Sequence, residues 1–108
     1  MARAVIVSED AERDLDDLFG YIARHDSPEN AARVVARIDR AIESLSTSPE
    51  RGVVPAEIAA AVRGEIREIF FKPYRIVYKV LPREVLVLVV ADGRRDMSTL
   101  FQRRLLSE

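Results

Sequence analysis

The sequence contains no cysteine and no tryptophan, and His25 is its only histidine. Without cysteine the chain has no disulfide framework and no thiolate ligand for a metal ion. A single histidine also argues against a zinc site, which usually combines several histidine or cysteine ligands. These absences predict a protein that works without a metal ion or a cofactor.

Long apolar runs are also missing. Residues 1–7 form one short apolar run that leads directly into acidic residues, so we do not expect a signal peptide there. No apolar run approaches the ~20 residues that a membrane-spanning helix needs. The sequence therefore predicts a cytoplasmic protein with no membrane contact.

Length and composition predict one globular domain over residues 1–108, with 48% hydrophobic and 32% charged residues. The net charge is only −1, but the charges are unevenly distributed. Residues 1–50 hold 6 Arg and 11 Asp/Glu, whereas residues 51–108 hold 11 Lys/Arg and 7 Asp/Glu. This asymmetry favours one basic face for an acidic partner. The alternative is that helices simply carry exposed acids while strands carry scattered arginines.

The first half of the chain has the pattern of a strand followed by two helices. Ala4–Val7 is a short β-branched run, typical of a strand. Ser8 is a good N-cap, and the apolar residues after it recur at helical spacing, which predicts a helix over residues 9–24. A second helix is predicted from Pro28 to about Ser46. Two helices joined by so few residues are expected to form an antiparallel hairpin.

The second half changes to the pattern of strands. Strands are predicted over Glu65–Phe71, over Tyr74–Val80, which alternates between apolar and polar, and over residues 85–91, which are uniformly apolar like a central strand. A terminal helix is predicted over residues 97–106. Residues 53–63 fit either a helical turn or a loop. The expected fold is α+β, in the order β-α-α-β-β-β-α, with the helical hairpin packed on a small, mostly antiparallel sheet.

No strong catalytic motif is present: there is no glycine-rich phosphate loop, no metal-ligand spacing and no Ser–His–Asp set. His25 is expected to be a solvated residue between the two helices. What remains is a series of cations in the second half, namely Arg67, Lys72, Arg75, Lys79, Arg94 and Arg95. Arg75 and Lys79 share one face of a strand, and we expect Arg67 near them on the adjacent strand. Such a cluster suits RNA or an acidic peptide; the alternative is charge that keeps strands from aggregating.

Several segments resemble the RelE/ParE family of bacterial toxins, in order along almost the whole chain. The strongest match is PYRIVYKV at residues 73–80, preceded by IREI at residues 66–69. The helix start SEDAERDL at residues 8–15 and the segment SPERG at residues 48–52 come before them, and GRRD at residues 93–96 follows. Each motif is weak alone, but their order and spacing together are specific to this family.

The resemblance implies the toxin of a type II toxin–antitoxin module, a growth inhibitor tied to plasmid stabilization and held inactive by a cognate antitoxin in a hetero-oligomer. RelE-like members of the family resemble ribosome-dependent mRNA endonucleases, whereas ParE-like members resemble non-enzymatic inhibitors of DNA gyrase. RelE-like members often place a Tyr or His just after the last strand, but residues 92–98 contain neither. This departure favours the gyrase inhibitor. A nuclease acting on the ribosome and mRNA, an inactive member and a plain binding module remain alternatives.

Four arginines are the predicted target-binding residues: Arg67, Arg75, Arg94 and Arg95. Glu68 and Asp96 are their only near acidic candidates for pairing. Arg94 and Arg95 follow a strand end, where loops commonly hold sites. No residue is assigned a catalytic role. The antitoxin is expected to lay a helix in a groove, with an extended segment added to the sheet as a second mode of contact.

Overall fold

The computed structural model describes residues 2–58 and 65–105. The elements are β1 (Ala4–Val7), α1 (Glu9–His25), α2 (Pro28–Glu43), β2 (Glu65–Phe71), β3 (Tyr74–Val80), β4 (Glu84–Asp92) and α3 (Met97–Leu105). Two short 3₁₀ helices, Ser44–Ser46 and Pro49–Arg51, follow α2. The predicted order and the α+β class are confirmed, and β2 and β3 have the predicted bounds.

Both long helices begin at the capping residues that the sequence contains. The Ser8 hydroxyl accepts a hydrogen bond from the Ala11 N–H at 3.1 Å, and the Ser27 hydroxyl accepts one from the Asn30 N–H at 3.0 Å. Each bond satisfies a backbone donor that the first helical turn leaves without an intrahelical partner. Helix α2 ends before the predicted residue because the chain tightens into the 3₁₀ helix Ser44–Ser46.

The four strands form one sheet in the order β1-β4-β3-β2. Strands β2, β3 and β4 pair antiparallel, which confirms the mostly antiparallel sheet. Strand β1 pairs parallel with the first half of β4, from Ala4 opposite Glu84 to Val7 opposite Val87. The first and last strands are therefore neighbours, a long-range pairing that local sequence patterns do not specify.

The sheet separates two apolar layers. The helical hairpin of α1 and α2 covers one face, whose buried core consists of Ala11, Ile38, Ile42, Leu45, Ile69, Ile76, Tyr78, Val85, Val87 and Val90. Helix α3 covers the other face, where Ile66, Val77, Val89, Ala91, Met97, Leu100 and Phe101 are buried. We call these the hairpin face and the α3 face. The predicted alternation of β3 is confirmed, since Ile76 and Tyr78 lie on the hairpin face and Val77 on the α3 face.

Strand β4 is uniformly apolar because it is central and covered on both faces. Val85 and Val87 contribute to the core of the hairpin face, whereas Val89 and Ala91 contribute to that of the α3 face. The pairing with β3 shifts register between Val77 and Tyr78, which leaves an extra residue in β4 at position 88. This β-bulge lies where β1 ends and α1 begins to run beside β4.

The buried hydroxyl of Tyr78 anchors the turn that follows α2. It donates a hydrogen bond to the Pro49 carbonyl oxygen at 2.6 Å and accepts one from the Gly52 N–H at 3.1 Å. Gly52 passes so close that an added Cβ would lie 2.3 Å from the Tyr78 hydroxyl oxygen. Tyr78 therefore has a structural role, and its hydroxyl is fully occupied within the core.

Two uncertain regions are only partly described. Val53 forms an isolated antiparallel bridge with Glu68 at the edge of β2, which makes the start of residues 53–63 an extended segment. Residues 59–64, which include the rest of the region that fits either a helical turn or a loop, lie outside the described residues, as does residue 106 of the predicted terminal helix. Along the described segments, no helix is long and apolar enough to cross a membrane.

Replacing Tyr78 by Phe is expected to lower the free energy of unfolding by about 1–3 kcal/mol, because two buried backbone groups lose their partner. Tyr21→Phe removes the same hydroxyl from a side chain that is 57% exposed, so it should change stability by less than about 0.5 kcal/mol. Urea denaturation of both variants beside the wild type measures the difference. A Tyr78→Phe variant as stable as the wild type would contradict the anchoring role.

Candidate functional site

The chain turns sharply between β4 and α3, and this corner, residues 93–96, holds two of the predicted arginines. The Gly93 N–H donates a hydrogen bond to the Pro73 carbonyl oxygen at 2.8 Å, which fastens the corner to the start of β3. Asp96 caps α3 by accepting hydrogen bonds from the Thr99 N–H and hydroxyl at 3.1 and 2.8 Å, and these bonds lower the pKa of Asp96. The corner is therefore held at both ends.

Arg94 and Arg95 are both exposed at this corner. The Arg94 guanidinium binds the Asp92 carboxylate, with Nε 2.9 Å from Oδ1 and Nη2 2.5 Å from Oδ2. The pair lowers the pKa of Asp92 and raises that of Arg94. Because 79% of the Arg94 side chain is exposed, this surface pair leaves the guanidinium accessible to a partner.

A groove with a volume of about 640 Å³ lies between α1 and the corner. Its lining comes from α1, the start of β3, the end of β4 and the corner: Asp14, Asp16, Asp17, Leu18, Gly20, Tyr21, Arg24, Tyr74, Val90, Ala91, Asp92, Arg94 and Arg95. We call it the corner groove. It combines apolar side chains with carboxylates, guanidiniums and two phenols, a mixture suited to binding a polypeptide.

The corner groove borders the part of β4 that extends beyond β1. Here side chains take the place of a neighbouring strand: Asp14 Oδ2 accepts a hydrogen bond from the Val90 N–H at 2.9 Å, and Arg104 donates one to the Leu88 carbonyl oxygen at 2.8 Å. Asp14 and Arg104 also form an ion pair with each other. Burial raises the pKa of Asp14, although the Val90 N–H and Arg104 act in the opposite direction.

Arg75 lies in a different place, within a partly buried network on the α3 face. Its guanidinium binds both oxygens of the Glu57 carboxylate at 2.9 and 2.7 Å and Oε1 of Glu68 at 2.7 Å. The Arg75 side chain is only 12% exposed, and its guanidinium carbon lies 5.6 Å from the centre of the Phe101 ring. The sequence indicated Glu68 as a near partner, whereas Glu57 is distant in sequence. Arg75 thus connects the segment that contains Glu57 to Glu68 in β2 and to Phe101 in α3.

The expectation that Arg67 lies near Arg75 and Lys79 on one basic face is wrong. Arg67 pairs with Tyr78 in the sheet register, so its side chain lies on the hairpin face, opposite Arg75. It binds the Glu65 carboxylate at 2.5 Å and the Gly52 carbonyl oxygen at 2.7 Å. The predicted arginines therefore divide into two that hold the structure and two, Arg94 and Arg95, that line the corner groove.

Sequence reasoning missed the α1 side of the corner groove. Tyr21 is exposed, and its ring stacks on His25 with centroids 4.2 Å apart. His25 is exposed, as predicted, but it is the last residue of α1 and not part of the connection between the helices. Asp17, Tyr21 and Arg24 follow one another at three- and four-residue spacing, which places them on one stripe of the helix. The helical spacing of these residues can be seen in the sequence. The sequence near them does not indicate that the stripe faces the corner between β4 and α3, which is distant along the chain.

Replacing Arg75 by Ala is expected to lower the free energy of unfolding by about 2–3 kcal/mol, since Glu57 and the buried Glu68 lose their only cation in this network. Lys79→Ala is the matched control, because it removes a cation from the same face of the same strand outside the network. Thermal and urea denaturation measure both. A loss no larger than that of Lys79→Ala would contradict the structural role of Arg75.

Acid should remove the contribution of Glu57. Arg75 lowers the pKa of Glu57 in the folded protein below its ordinary value of 4.5, so the pair stabilises the fold above that pH and its contribution is lost as the pH falls through the lowered value. The difference in melting temperature between the wild type and Glu57→Gln should therefore be largest at pH 7 and shrink towards pH 3. A difference that is constant from pH 7 to pH 3 would show that ionised Glu57 contributes nothing.

The sequence is similar to known toxins over most of its length. Residues 5–97 match the family described as the ParE toxin of the type II toxin–antitoxin system, parDE. A protein of Sinorhizobium fredii, Y4kP, described as a candidate toxin, is 39% identical over 86 residues, which cover 80% of this chain and 83% of that protein.

Solved structures share the fold. A chain of the chromosomal ParDE system of P. aeruginosa matches with a TM-score of 0.70 at 19% identity, over 84% of this chain and 96% of that one. A mutant of the E. coli toxin RelE in the free state matches with a TM-score of 0.62 at 15% identity, over 98% and 96% of the two chains. A chain of the RelBE2 toxin–antitoxin complex of Mycobacterium tuberculosis matches with a TM-score of 0.58 at 23% identity, over 85% of this chain and 92% of that one.

At identities below a quarter the solved structures establish likeness of fold alone, and they agree with the family assigned from sequence. The family match extends from β1 to the first residue of α3, so it includes the sheet, the helical hairpin and the corner. The chain belongs to the family of ParE toxins of type II toxin–antitoxin systems, within the wider RelE/ParE superfamily.

Proposed function

We propose that this toxin is a ParE-like, non-enzymatic inhibitor of DNA gyrase that acts in the cytoplasm, contributes to plasmid stabilization and is neutralised by its cognate antitoxin. The observation that carries the proposal is the composition of the corner. Arg94 and Arg95 are exposed there, but residues 92–98 contain no Tyr or His to act as general acid or base. Binding without chemistry is what such a site supports best.

The alternative, a RelE-like endonuclease acting on mRNA at the ribosome, needs groups that exchange protons with the 2′-hydroxyl and the leaving oxygen. Of the three tyrosines, Tyr78 uses its hydroxyl within the core, whereas Tyr21 is exposed in the corner groove and stacks on His25. Burial and Asp92 raise the pKa of Tyr74, so its phenol stays protonated and the phenolate that could accept a proton is less populated. Asp16 and Asp17 in the corner groove would also repel a phosphate chain. These features favour a protein target.

In this proposal Arg94 and Arg95 contact the target directly. Arg94 already holds a carboxylate in the two-point geometry that guanidinium groups favour, so a carboxylate of the target can replace Asp92 without a change in the type of contact. Arg67 and Arg75 act indirectly by holding the edge of β2 and the segment before residue 59. Their removal is expected to reduce toxicity and stability together.

Two assays on the purified chain separate the candidate activities. Supercoiling of relaxed plasmid by DNA gyrase should be inhibited, and the inhibition should disappear when the product of the adjacent gene is added as antitoxin. In an in vitro translation reaction the mRNA should remain intact. Normal supercoiling together with cleaved mRNA would contradict the proposal and support the RelE-like endonuclease.

The double variant Arg94→Ala/Arg95→Ala is expected to lose growth arrest and to inhibit gyrase at least tenfold less well. Its melting temperature should stay within about 3 °C of the wild type, because both side chains are exposed. Arg83→Ala is the control: it removes an exposed arginine from the turn between β3 and β4, away from the corner groove. Full toxicity of the double variant would refute the role of the corner.

A further inference from the structure

Helix α2 carries a row of arginines on its outer surface. Arg33, Arg37 and Arg40 follow one another at four- and three-residue spacing, so they lie within an arc of about 60° on the helix. All three are exposed. The same spacing continues to Ser44, whose hydroxyl oxygen accepts a hydrogen bond from Arg51 Nη2 at 2.8 Å. The exposed Arg51 thus extends the row past the end of α2, and we call the four arginines the α2 arginine row.

No carboxylate of the described chain neutralises this row. Within residues 2–58 and 65–105, none of its four guanidiniums forms an ion pair. Where these side chains donate hydrogen bonds, the acceptors are uncharged: Arg51 binds the Ser44 hydroxyl and Arg33 binds the Asn30 amide oxygen. The four positive charges are therefore available to a partner.

The acids of α2 lie on the flank of the helix that faces α1. Burial, Glu43 and Glu12 of α1 raise the pKa of Asp39, which places these carboxylates near one another between the two helices. Asp39 lies at least about 100° around the helix from each arginine of α2. The row therefore faces away from α1, whereas the corner groove is lined from α1, β3, β4 and the corner. The two surfaces can be occupied at the same time.

A row of charges of one sign suits a linear polyanion. Arg33 and Arg40 are seven residues apart, or about 10.5 Å along the helix axis, a length over which one strand of B-DNA presents about three phosphates. Guanidinium groups bind phosphate oxygens through two parallel hydrogen bonds. Proteins that bind single strands add aromatic side chains on which unpaired bases stack, but α2 contains no aromatic residue. A duplex therefore fits the row better than a single strand.

We propose that the α2 arginine row binds the phosphate backbone of duplex DNA without reading its sequence. The choice of DNA rests on the proposed function, because the substrate of gyrase is duplex DNA. The corner groove contacts the enzyme while the row contacts the DNA that the enzyme holds. Attachment at two sites raises the effective concentration of each contact, so the row adds affinity and the corner supplies specificity for the target.

Fluorescence anisotropy with a short labelled DNA duplex and the purified chain tests the row. The logarithm of the association constant should fall with the logarithm of the salt concentration with a slope of roughly −3 to −4, as expected for about four phosphate contacts. The variant Arg33→Ala/Arg37→Ala/Arg40→Ala should bind at least tenfold more weakly at low salt. Because alanine favours the helix at least as well as arginine, the variant should remain folded, which circular dichroism verifies.

The variant Arg13→Ala/Lys72→Ala/Arg83→Ala is the matched control, since it removes three exposed cations outside the row. It should bind the duplex within about threefold of the wild type. No binding by the wild type, an equal loss in both triple variants, or a comparable loss in Arg94→Ala/Arg95→Ala would overturn the proposal. Tighter binding to a single-stranded RNA of the same length would overturn it in favour of an RNA partner. The expected DNA binding in a toxin that fails to inhibit gyrase would support the row and refute the proposed target.

Discussion

Strand β4 is the element on which the rest of the structure depends. It hydrogen-bonds to β1 on one side and β3 on the other, and its side chains enter both apolar layers, through Val87 on the hairpin face and Val89 on the α3 face. Its end leads directly into the corner, which the Gly93 hydrogen bond to Pro73 fastens to β3. Because β4 cannot shift without disturbing every layer, the corner and its two arginines are presented from a rigid base.

Much of this fold was predictable because its signals are local. Capping residues, helical spacing and period-two alternation act over a few residues, and they correctly located α1, α2, β2 and β3. The parallel pairing of β1 with β4 and the placement of α3 on the far face join parts of the chain that are distant in sequence. Such contacts depend on which apolar faces can be buried together, and the local patterns of a single sequence do not specify this.

The site was less predictable for the same reason. Arginine spacing alone suggested one basic face, but alternation across two paired strands puts Arg67 and Arg75 on opposite faces, where acids and backbone carbonyls engage them. Of the four predicted target-binding arginines, Arg94 and Arg95 are the exposed ones, and α1 forms the opposite side of their groove. What emerges is a surface with balanced charge, which suits a protein partner better than a nucleic acid. The family assignment identifies a type II toxin, and the proposal that it works by binding rests on this surface.

Site-specific photocrosslinking from the corner groove tests the central claim most directly. Tyr21 is exposed at the middle of the groove, and p-benzoyl-phenylalanine at this position retains an aromatic ring. With purified gyrase the substituted toxin should form one crosslinked product, which should disappear when the antitoxin is added. A toxin that inhibits gyrase without any crosslink from this position, or that crosslinks to gyrase equally well in the presence of saturating antitoxin, would contradict the account.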